Sequence, residues 1–242
     1  MASSACTNTS GCTGIPTYNT SISNSFTSTG KAFSVKYGSG SATGQMHTDY
    51  VSFAGYNVSG QGFALCDTVS DDLLNGNISG LFGLGWEALA ASGVVPWWQN
   101  LYVAGVLPFP GFAFSLSRFS NVTTASQVEP GGYLTFGYLN ESVYDPDTLA
   151  FVDIPTGLES YWVIPMEALT VNATNITLAS DTYVAIDTGT TLIGGPSDLV
   201  SSFYSKIPGA QAATGSYAGS LGGAAAGLAR LGDEAKVSQL LT

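Results

Sequence analysis

One aspartate lies where an apolar segment meets a turn of small polar residues. Asp187 follows the apolar run 183–186 and precedes Thr188-Gly189-Thr190-Thr191. Glycine permits close backbone approach, and threonine hydroxyls and turn N–H groups can donate hydrogen bonds that favour an ionised carboxylate. The chemistry open to such a group is that of an oriented, charged carboxylate. The alternative is an ordinary Asx turn, in which an aspartate at a strand end bonds its own backbone.

Few other side chains could carry catalysis. The chain has one histidine, His47, which we interpret as a surface residue of a strand, and three cysteines. Their spacing does not supply the four ligands of a zinc site. The sequence contains no G-x-S-x-G nucleophile motif, no G-x-G-x-x-G motif and no phosphate-binding loop. We therefore expect no metal ion and no organic cofactor.

The elements that position these residues are predicted to be mainly strands. Most segments alternate with a period of two and are bounded by Gly, Asn, Ser or Pro. The clearest strands are 32–37, 50–54, 111–116 and 132–136. Short helices are predicted at 87–92, 96–104 and 197–206, the last with Ser197 and Asp198 as cap residues. The sequence therefore predicts a mostly β protein.

The aspartate turn, taken with both flanks, resembles the second active-site motif of the pepsin-like aspartic peptidases, especially secreted fungal members. Other segments resemble further family features and follow the family's order. They are the flap hairpin at 36–44, the apolar-apolar-Gly segment at 79–85, the next loop and helix at 92–101, strands joining the lobes at 112–116 and 131–137, and a second-lobe strand at 161–164. The resemblance runs from about Cys6 to Gly219.

This resemblance implies a bilobal acid-protease fold and endopeptidase activity on polypeptides at acid pH. In the family mechanism two carboxylates at the bottom of a cleft share a proton and hold a water. The ionised carboxylate acts as general base on the water, and the other donates a hydrogen bond to the scissile carbonyl. Asp187 would be one of the two. The family form is expected to be a monomer that prefers bulky apolar residues beside the cut bond.

The resemblance also implies roles for other residues. Those expected to contact the substrate lie in the flap and in the aspartate turn: Tyr37, Gly38, Ser39, Gly189 and Thr190. Cys6 and Cys12 are near enough in sequence for a local disulfide and fit the small disulfide loop of the family. Cys66 is left over, and an odd cysteine in a secreted chain suggests a missing partner.

The chain departs from the family pattern at both ends. Its only D-T-G is at Asp187, and the family's first catalytic aspartate would fall before Met1. The resemblance stops near Gly219, where a Gly- and Ala-rich tail begins. We expect a partial N-terminal lobe with the flap at 1–118, inter-lobe strands and a partial C-terminal lobe at 119–218, and an atypical tail at 219–242. Such a truncated chain is expected to fold poorly and to be inactive by itself.

Composition and short motifs indicate the compartment and exclude some partners. The formal net charge is −11, so binding to nucleic acid through a basic surface is not expected. Prolines and glycines interrupt the uncharged run 88–117, so no membrane-spanning helix is expected there. We expect no signal peptide within residues 1–5, which have neither a basic nor an apolar stretch. Secretion and glycosylation are nevertheless indicated by eight N-x-S/T sequons, which begin at Asn8, Asn19, Asn57, Asn77, Asn121, Asn140, Asn172 and Asn175.

Two other functions remain open at this point. One is a dimeric aspartic peptidase in which each chain supplies one D-T-G. The presence of flap-lobe and second-lobe segments in the same chain argues against it. The other is a secreted, non-catalytic β-rich binding or inhibitor protein that retains the cleft. The discriminating observation is whether the transcript encodes a D-T-G upstream of Met1.

Overall fold

A computed structural model describes residues 1–6, 10–38, 40–71, 73–74, 78–117, 130–171, 173–190, 193–211 and 239–241. The chain forms two compact units. The first is Met1–Thr148 with Leu240–Thr242, and the second is Leu149–Gln239. Three predictions fall on residues outside the described ranges: the lobe boundary at 118 and 119, the flap residue Ser39, and nearly all of the tail 219–242.

The first unit is built on a three-stranded antiparallel sheet. Its strands are β1 (Thr27–Tyr37), β2 (Gly40–Phe53) and β3 (Tyr56–Val69), with β2 in the middle. The turn between β2 and β3 consists of Ala54 and Gly55, whose φ angles are 50° and 83°. Positive φ at both positions defines the tight hairpin turn that suits the right-handed twist of paired strands.

A short helix and a second sheet complete the first unit. Helix α1 (Trp97–Val103) precedes β4 (Phe112–Leu116), and β4 pairs antiparallel with β5 (Gly132–Phe136). A strand at Gln239–Leu241 lies on the other side of β4. Aromatic rings from four segments pack with centroids 5.3 to 5.9 Å apart, and these rings belong to Phe53, Phe82, Trp97 and Phe136. This cluster joins β2, α1 and β5, with Trp97 and Phe136 buried and Phe53 and Phe82 partly exposed at its edge.

The second unit contains two small antiparallel strand pairs and a helix. Strand β6 (Val163–Pro165) pairs antiparallel with β9 (Tyr183–Ala185), and β7 (Leu169–Val171) with β8 (Thr174–Ile176). Helix α2 (Ser197–Tyr204) carries Phe203, which is buried in a cluster with Val171 and Ile176. The cluster therefore joins α2 to the β7–β8 pair.

The prediction of a mostly β protein is confirmed. The predicted strands correspond to parts of β1 and β2 and to β4 and β5, and two predicted helices are α1 and α2. The helix predicted at 87–92 is only a single 3₁₀ turn at Glu87–Leu89. The predicted caps of α2 are wrong, because Pro196 occupies the cap position and Ser197 and Asp198 are already helical. The proline side chain has no acceptor, so the first turn of α2 receives no side-chain cap bond from this position.

The three cysteines occupy one region of the first unit. Cys6 and Cys12 form a disulfide with their Cα atoms 5.9 Å apart, which confirms the predicted pairing. Cys66 in β3 is a free thiol, only 4% exposed, in a core cluster that also contains Ala2 and Val69. Burial raises the pKa of the Cys66 thiol. A buried, protonated thiol is a poor nucleophile.

We predict that the Cys66 thiol is protected in the folded chain. Its reaction with an aromatic disulfide reagent at pH 7 should be at least about tenfold slower than in denaturant, because reaction must wait for local opening. One thiol should react in denaturant, and three should react once the disulfide is also reduced. Rapid reaction of the native chain would contradict the buried position of Cys66.

A buried carboxylate fixes the segment that precedes β1. The Asp49 side chain, 5% exposed in β2, accepts hydrogen bonds from Ser25 Oγ at 2.5 Å, Ser23 Oγ at 2.9 Å and Tyr50 N at 2.7 Å. The Tyr18 hydroxyl also donates to it. These donors, Ser25 first and Tyr18 next, hold the pKa of the Asp49 carboxyl well below its usual range despite the opposing effect of burial. Residues 18–25 are therefore tied to the middle strand of the sheet.

We predict that Asp49→Ala lowers the free energy of unfolding by about 2 kcal/mol at pH 7, because it removes a buried acceptor to which four groups donate. The ionised Asp49 carboxylate contributes its full amount to the free energy of unfolding above the pKa of the unfolded chain, about 4. This contribution decreases as pH falls toward the depressed pKa of the folded chain. The difference in unfolding free energy between wild type and Asp49→Ala should therefore stay constant from pH 7 to about 4 and decrease below about pH 4.

Urea unfolding followed by tryptophan fluorescence measures this difference at each pH. The matched control is Asp67→Ala, which removes an exposed carboxylate from the neighbouring strand β3 and should change stability by less than about 0.5 kcal/mol. If both substitutions lowered the unfolding free energy by the same amount, the Asp49 hydrogen bonds would add no stability beyond that of an exposed carboxylate.

Candidate active site

A short backbone ladder leads directly to Asp187. Beyond the three residue pairs of β6 and β9, Met166 N donates to Thr182 O at 2.9 Å and Ile186 N donates to Trp162 O at 2.8 Å. The ladder thus ends at Ile186, the residue before the aspartate. Because the last paired residue is fixed by the neighbouring strand, the position at which the chain leaves the sheet is fixed too.

The Asp187 carboxylate is held by the turn that follows it. Gly189 N donates to Oδ1 at 2.8 Å, and Thr190 Oγ1 donates to Oδ2 at 2.5 Å. The turn closes with a bond from Thr190 N to Asp187 O at 3.3 Å. Each oxygen accepts one bond from a neutral donor and keeps lone-pair capacity for another partner. The side chain is exposed, so water can reach it.

Glycine at position 189 is explained by this geometry. A Cβ built on Gly189 would lie 3.2 Å from Asp187 Oδ1, closer than most real Cβ contacts. A larger residue would therefore press on the oxygen that the residue 189 amide binds. Gly189 and Thr190 donate to the carboxylate as the sequence predicts, and the Gly189 N bond is at the same time the defining bond of an Asx turn. Both interpretations of the sequence therefore fit this turn, and Thr191 lies outside the described residues.

The predicted flap residues lie at the tip of the β1–β2 hairpin in the first unit. Tyr37 is the last residue of β1 and pairs with Gly40, the first residue of β2. The Tyr37 side chain is 43% exposed, and its partial burial, followed by the nearby Cys66, raises the pKa of its phenol. Gly38 is exposed in the turn, and Ser39 is outside the described residues. Asp187, Gly189 and Thr190 are brought together in one turn of the second unit.

One residue that supports the hairpin was not identified from the sequence. Ser41 N donates to Ser70 Oγ at 2.8 Å, and Ser70 N donates back to Ser41 O at 2.9 Å. A Cβ on Gly40 would lie 2.2 Å from Ser70 Oγ, so a larger residue there would have to displace the Ser70 hydroxyl. Ser70 follows β3 and lies 29 positions from its partner along the chain. No local periodicity signals a contact at that separation.

Among the residues that the structure describes, the remaining candidates form no second centre. His47 in β2 packs against the Phe26 ring at a centroid distance of 4.8 Å, and burial lowers its pKa. Within the described ranges, no three His, Cys, Asp or Glu side chains are grouped closely enough to hold a metal ion. The two described α-helices have seven and eight residues, and no helix there is long and apolar enough to span a membrane.

Comparison with known proteins gives consistent relatives. The family described as "Eukaryotic aspartyl protease" matches residues 1–221. "Major aspartyl peptidase 1" of Cryptococcus neoformans is 40% identical over 89% of this chain and 45% of its own length. Mouse "Cathepsin E" is 33% identical over 86% of this chain and 50% of its own length. Bovine "Pepsin A" is 29% identical over 84% of this chain and 52% of its own length. The chain thus spans about half the length of the curated relatives it matches.

We predict that the Asp187 side chain protects the residue 189 amide from hydrogen exchange. Asp187→Ala removes the acceptor and should speed exchange at that amide roughly fivefold to tenfold, the effect of losing one hydrogen bond. Asp187→Asn keeps an Oδ1 acceptor and should retain the protection. NMR-detected exchange measures both variants. Identical exchange in the alanine variant and the wild type would contradict the described turn.

Proposed function

Because the chain belongs to the eukaryotic aspartyl protease family, we propose that Asp187 is one of the two carboxylates of an acid endopeptidase that hydrolyses polypeptides. The observation that carries this proposal is the Asp187 carboxylate at a strand end, exposed and held at both oxygens by Gly189 N and Thr190 Oγ1. Fixed orientation matters because a carboxylate activates water efficiently only when its lone pairs already point at the reacting molecule.

The chemistry requires a second carboxylate. Two carboxyl groups that share a site cannot both ionise easily, so they share a proton, and one serves as base while the other serves as acid. The 242 residues contain one D-T-G, at Asp187, and thus one family motif of this kind. We therefore propose that activity belongs to a protein in which another aspartate faces Asp187, and that the 242-residue chain by itself does not cleave peptides.

The remaining site residues are assigned to substrate binding. Tyr37 and Gly38, exposed at the tip of the β1–β2 hairpin, and Ser39 beside them are proposed to cover an extended polypeptide. Backbone groups at such a tip can bond an extended chain as a neighbouring strand would. Gly189 and Thr190 are proposed to contact the substrate from the aspartate turn, in addition to holding the carboxylate. The protein is proposed to act as a monomer.

Secretion is proposed on two observations. The Cys6–Cys12 disulfide is of a kind that persists in oxidising compartments, and the chain carries eight sequons. An extracellular or acidic luminal location also suits a chain with 17 acidic and 6 basic residues, because its self-repulsion decreases as the carboxylates protonate.

A non-catalytic binding or inhibitor protein is the second candidate. The observation that favours it is the lone D-T-G, since a single carboxylate of this kind can bind a partner without performing the shared-proton reaction. Exposed apolar side chains also suit a binding surface, and Leu81 and Phe82 are 53% and 47% exposed.

We predict different results for the isolated chain and for a longer product of the same transcript that supplies a second D-T-G. The pure 242-residue chain should not hydrolyse a peptide substrate at acid pH. In the longer protein, Asp187→Asn should lower kcat at least about a hundredfold, because the general acid–base group is lost. Thr190→Val should lower kcat about tenfold through loss of one hydrogen bond, and Thr190→Ser should retain activity.

The exchange experiment on Asp187→Asn is the control for folding, because that variant keeps the turn while it loses the chemistry. If the pure 242-residue chain cleaved peptides at acid pH and Asp187→Asn abolished this activity, the proposed requirement for a second carboxylate would be wrong. A longer transcript product with no second D-T-G would favour the binding or inhibitor function.

A further inference from the structure

Two of the eight sequons share one local geometry. At the first, Ser21 N and Ser21 Oγ both donate to Asn19 Oδ1, at 3.0 and 2.7 Å. At the second, Ser142 N and Ser142 Oγ both donate to Asn140 Oδ1, at 3.2 and 2.7 Å. The two sites lie in separate segments of the first unit, so the arrangement arises independently at each.

This geometry determines which amide atom of each asparagine is engaged. A backbone N–H can only donate, so the atom that accepts from Ser21 N or Ser142 N must be the side-chain oxygen. The nitrogen Nδ2 then points away from the turn, and the described residues offer it no hydrogen-bond partner. Asn100 is the opposite case, because its Nδ2 donates to Gln61 Oε1 at 2.9 Å. The Asn19 side chain is exposed and that of Asn140 is half-buried.

We propose that Asn19 and Asn140 carry N-linked oligosaccharides, with the side-chain turn intact beneath each glycan. In the transfer, Nδ2 forms a bond to the anomeric carbon of a lipid-linked oligosaccharide diphosphate, the carbon–oxygen bond to the diphosphate breaks, and the amide loses one proton. The oxygen that the serine groups bind takes no part in the new bond. This proposal rests on the secretion proposed above, but not on peptidase activity.

The surroundings of Asn19 favour a defined position for its glycan. Asn19 caps a 3₁₀ turn at Thr20–Ile22, and the next residues include Ser23 and Ser25, which both bond the buried Asp49 carboxylate. The glycan would therefore stand on a segment that is anchored to β2. The sequon hydroxyl of Ser21 has the same two functions as that of Ser142: it completes the acceptor motif and donates to the asparagine oxygen.

The first test maps the occupied asparagines directly. The 242-residue chain, fused to a secretion leader, is translated in the presence of microsomes that glycosylate incoming chains. Peptide N-glycosidase in heavy-oxygen water then converts each glycosylated asparagine to a labelled aspartate, which peptide mass spectrometry locates. Label is expected at Asn19 and Asn140 and not at Asn24 or Asn100, which are outside any sequon. Absence of label at either predicted asparagine overturns the proposal for that asparagine.

Variants test the asparagine and the hydroxyl residue of each sequon. Asn19→Gln and Ser21→Ala should each lose the label at that site and one step of gel mobility, whereas Ser21→Thr should keep both. Asn140→Gln, Ser142→Ala and Ser142→Thr form the equivalent set. All bonds of each turn lie within the three residues of its sequon, so the turn can form in the entering chain before the rest has folded. The readout therefore does not depend on complete folding of a variant. An unchanged mobility in both glutamine variants overturns the proposal, and the result is independent of whether the protein cleaves peptides.

Discussion

The first unit depends on the two-sided pairing of β2. This strand bonds β1 along residues 40–48 and β3 along residues 42–53, so the middle of β2 is held by two ladders. One end of the strand continues into the hairpin tip that contains Tyr37 and Gly38, and Ser70 adds two hydrogen bonds at the base of that tip. Near the other end, the Asp49 carboxylate accepts hydrogen bonds from Ser23 and Ser25 in the segment that precedes β1. A hairpin tip can stay exposed and still have a defined base because its support lies in the sheet.

In the second unit, conformation and chemistry use the same hydrogen bonds. The bonds from Gly189 and Thr190 close the turn after β9 and also orient the Asp187 carboxylate. A change that loosens the turn therefore also misdirects the carboxylate. This coupling explains why small residues surround the aspartate: glycine avoids contact with Oδ1, and a short hydroxyl side chain reaches Oδ2 without displacing the backbone.

The sequence predicted those features that depend on near neighbours. Alternation with a period of two located the strands. The aspartate turn was predictable because its donors lie within three residues of Asp187. The Ser70 bonds to Ser41 and the Asp49 bonds to Ser23 and Ser25 span 24 to 29 positions, and no local pattern encodes them. The helix at 87–92 was overestimated because apolar spacing does not show where backbone bonding stops, and the bonded segment is a single 3₁₀ turn.

The anchoring of Asp49 has a consequence for how this acidic chain responds to dissolved salt. With 6 basic residues for 17 acidic ones, most carboxylates have no cation to pair with. Asp49, Asp187 and Glu159 instead accept bonds from hydroxyl and backbone N–H groups. Added ions screen attractions between separated charges over about 10 Å and weaken surface ion pairs, but a short bond from a neutral donor is hardly affected. Rising ionic strength should thus reduce repulsion among the acidic residues while the anchors that define the loops keep their strength.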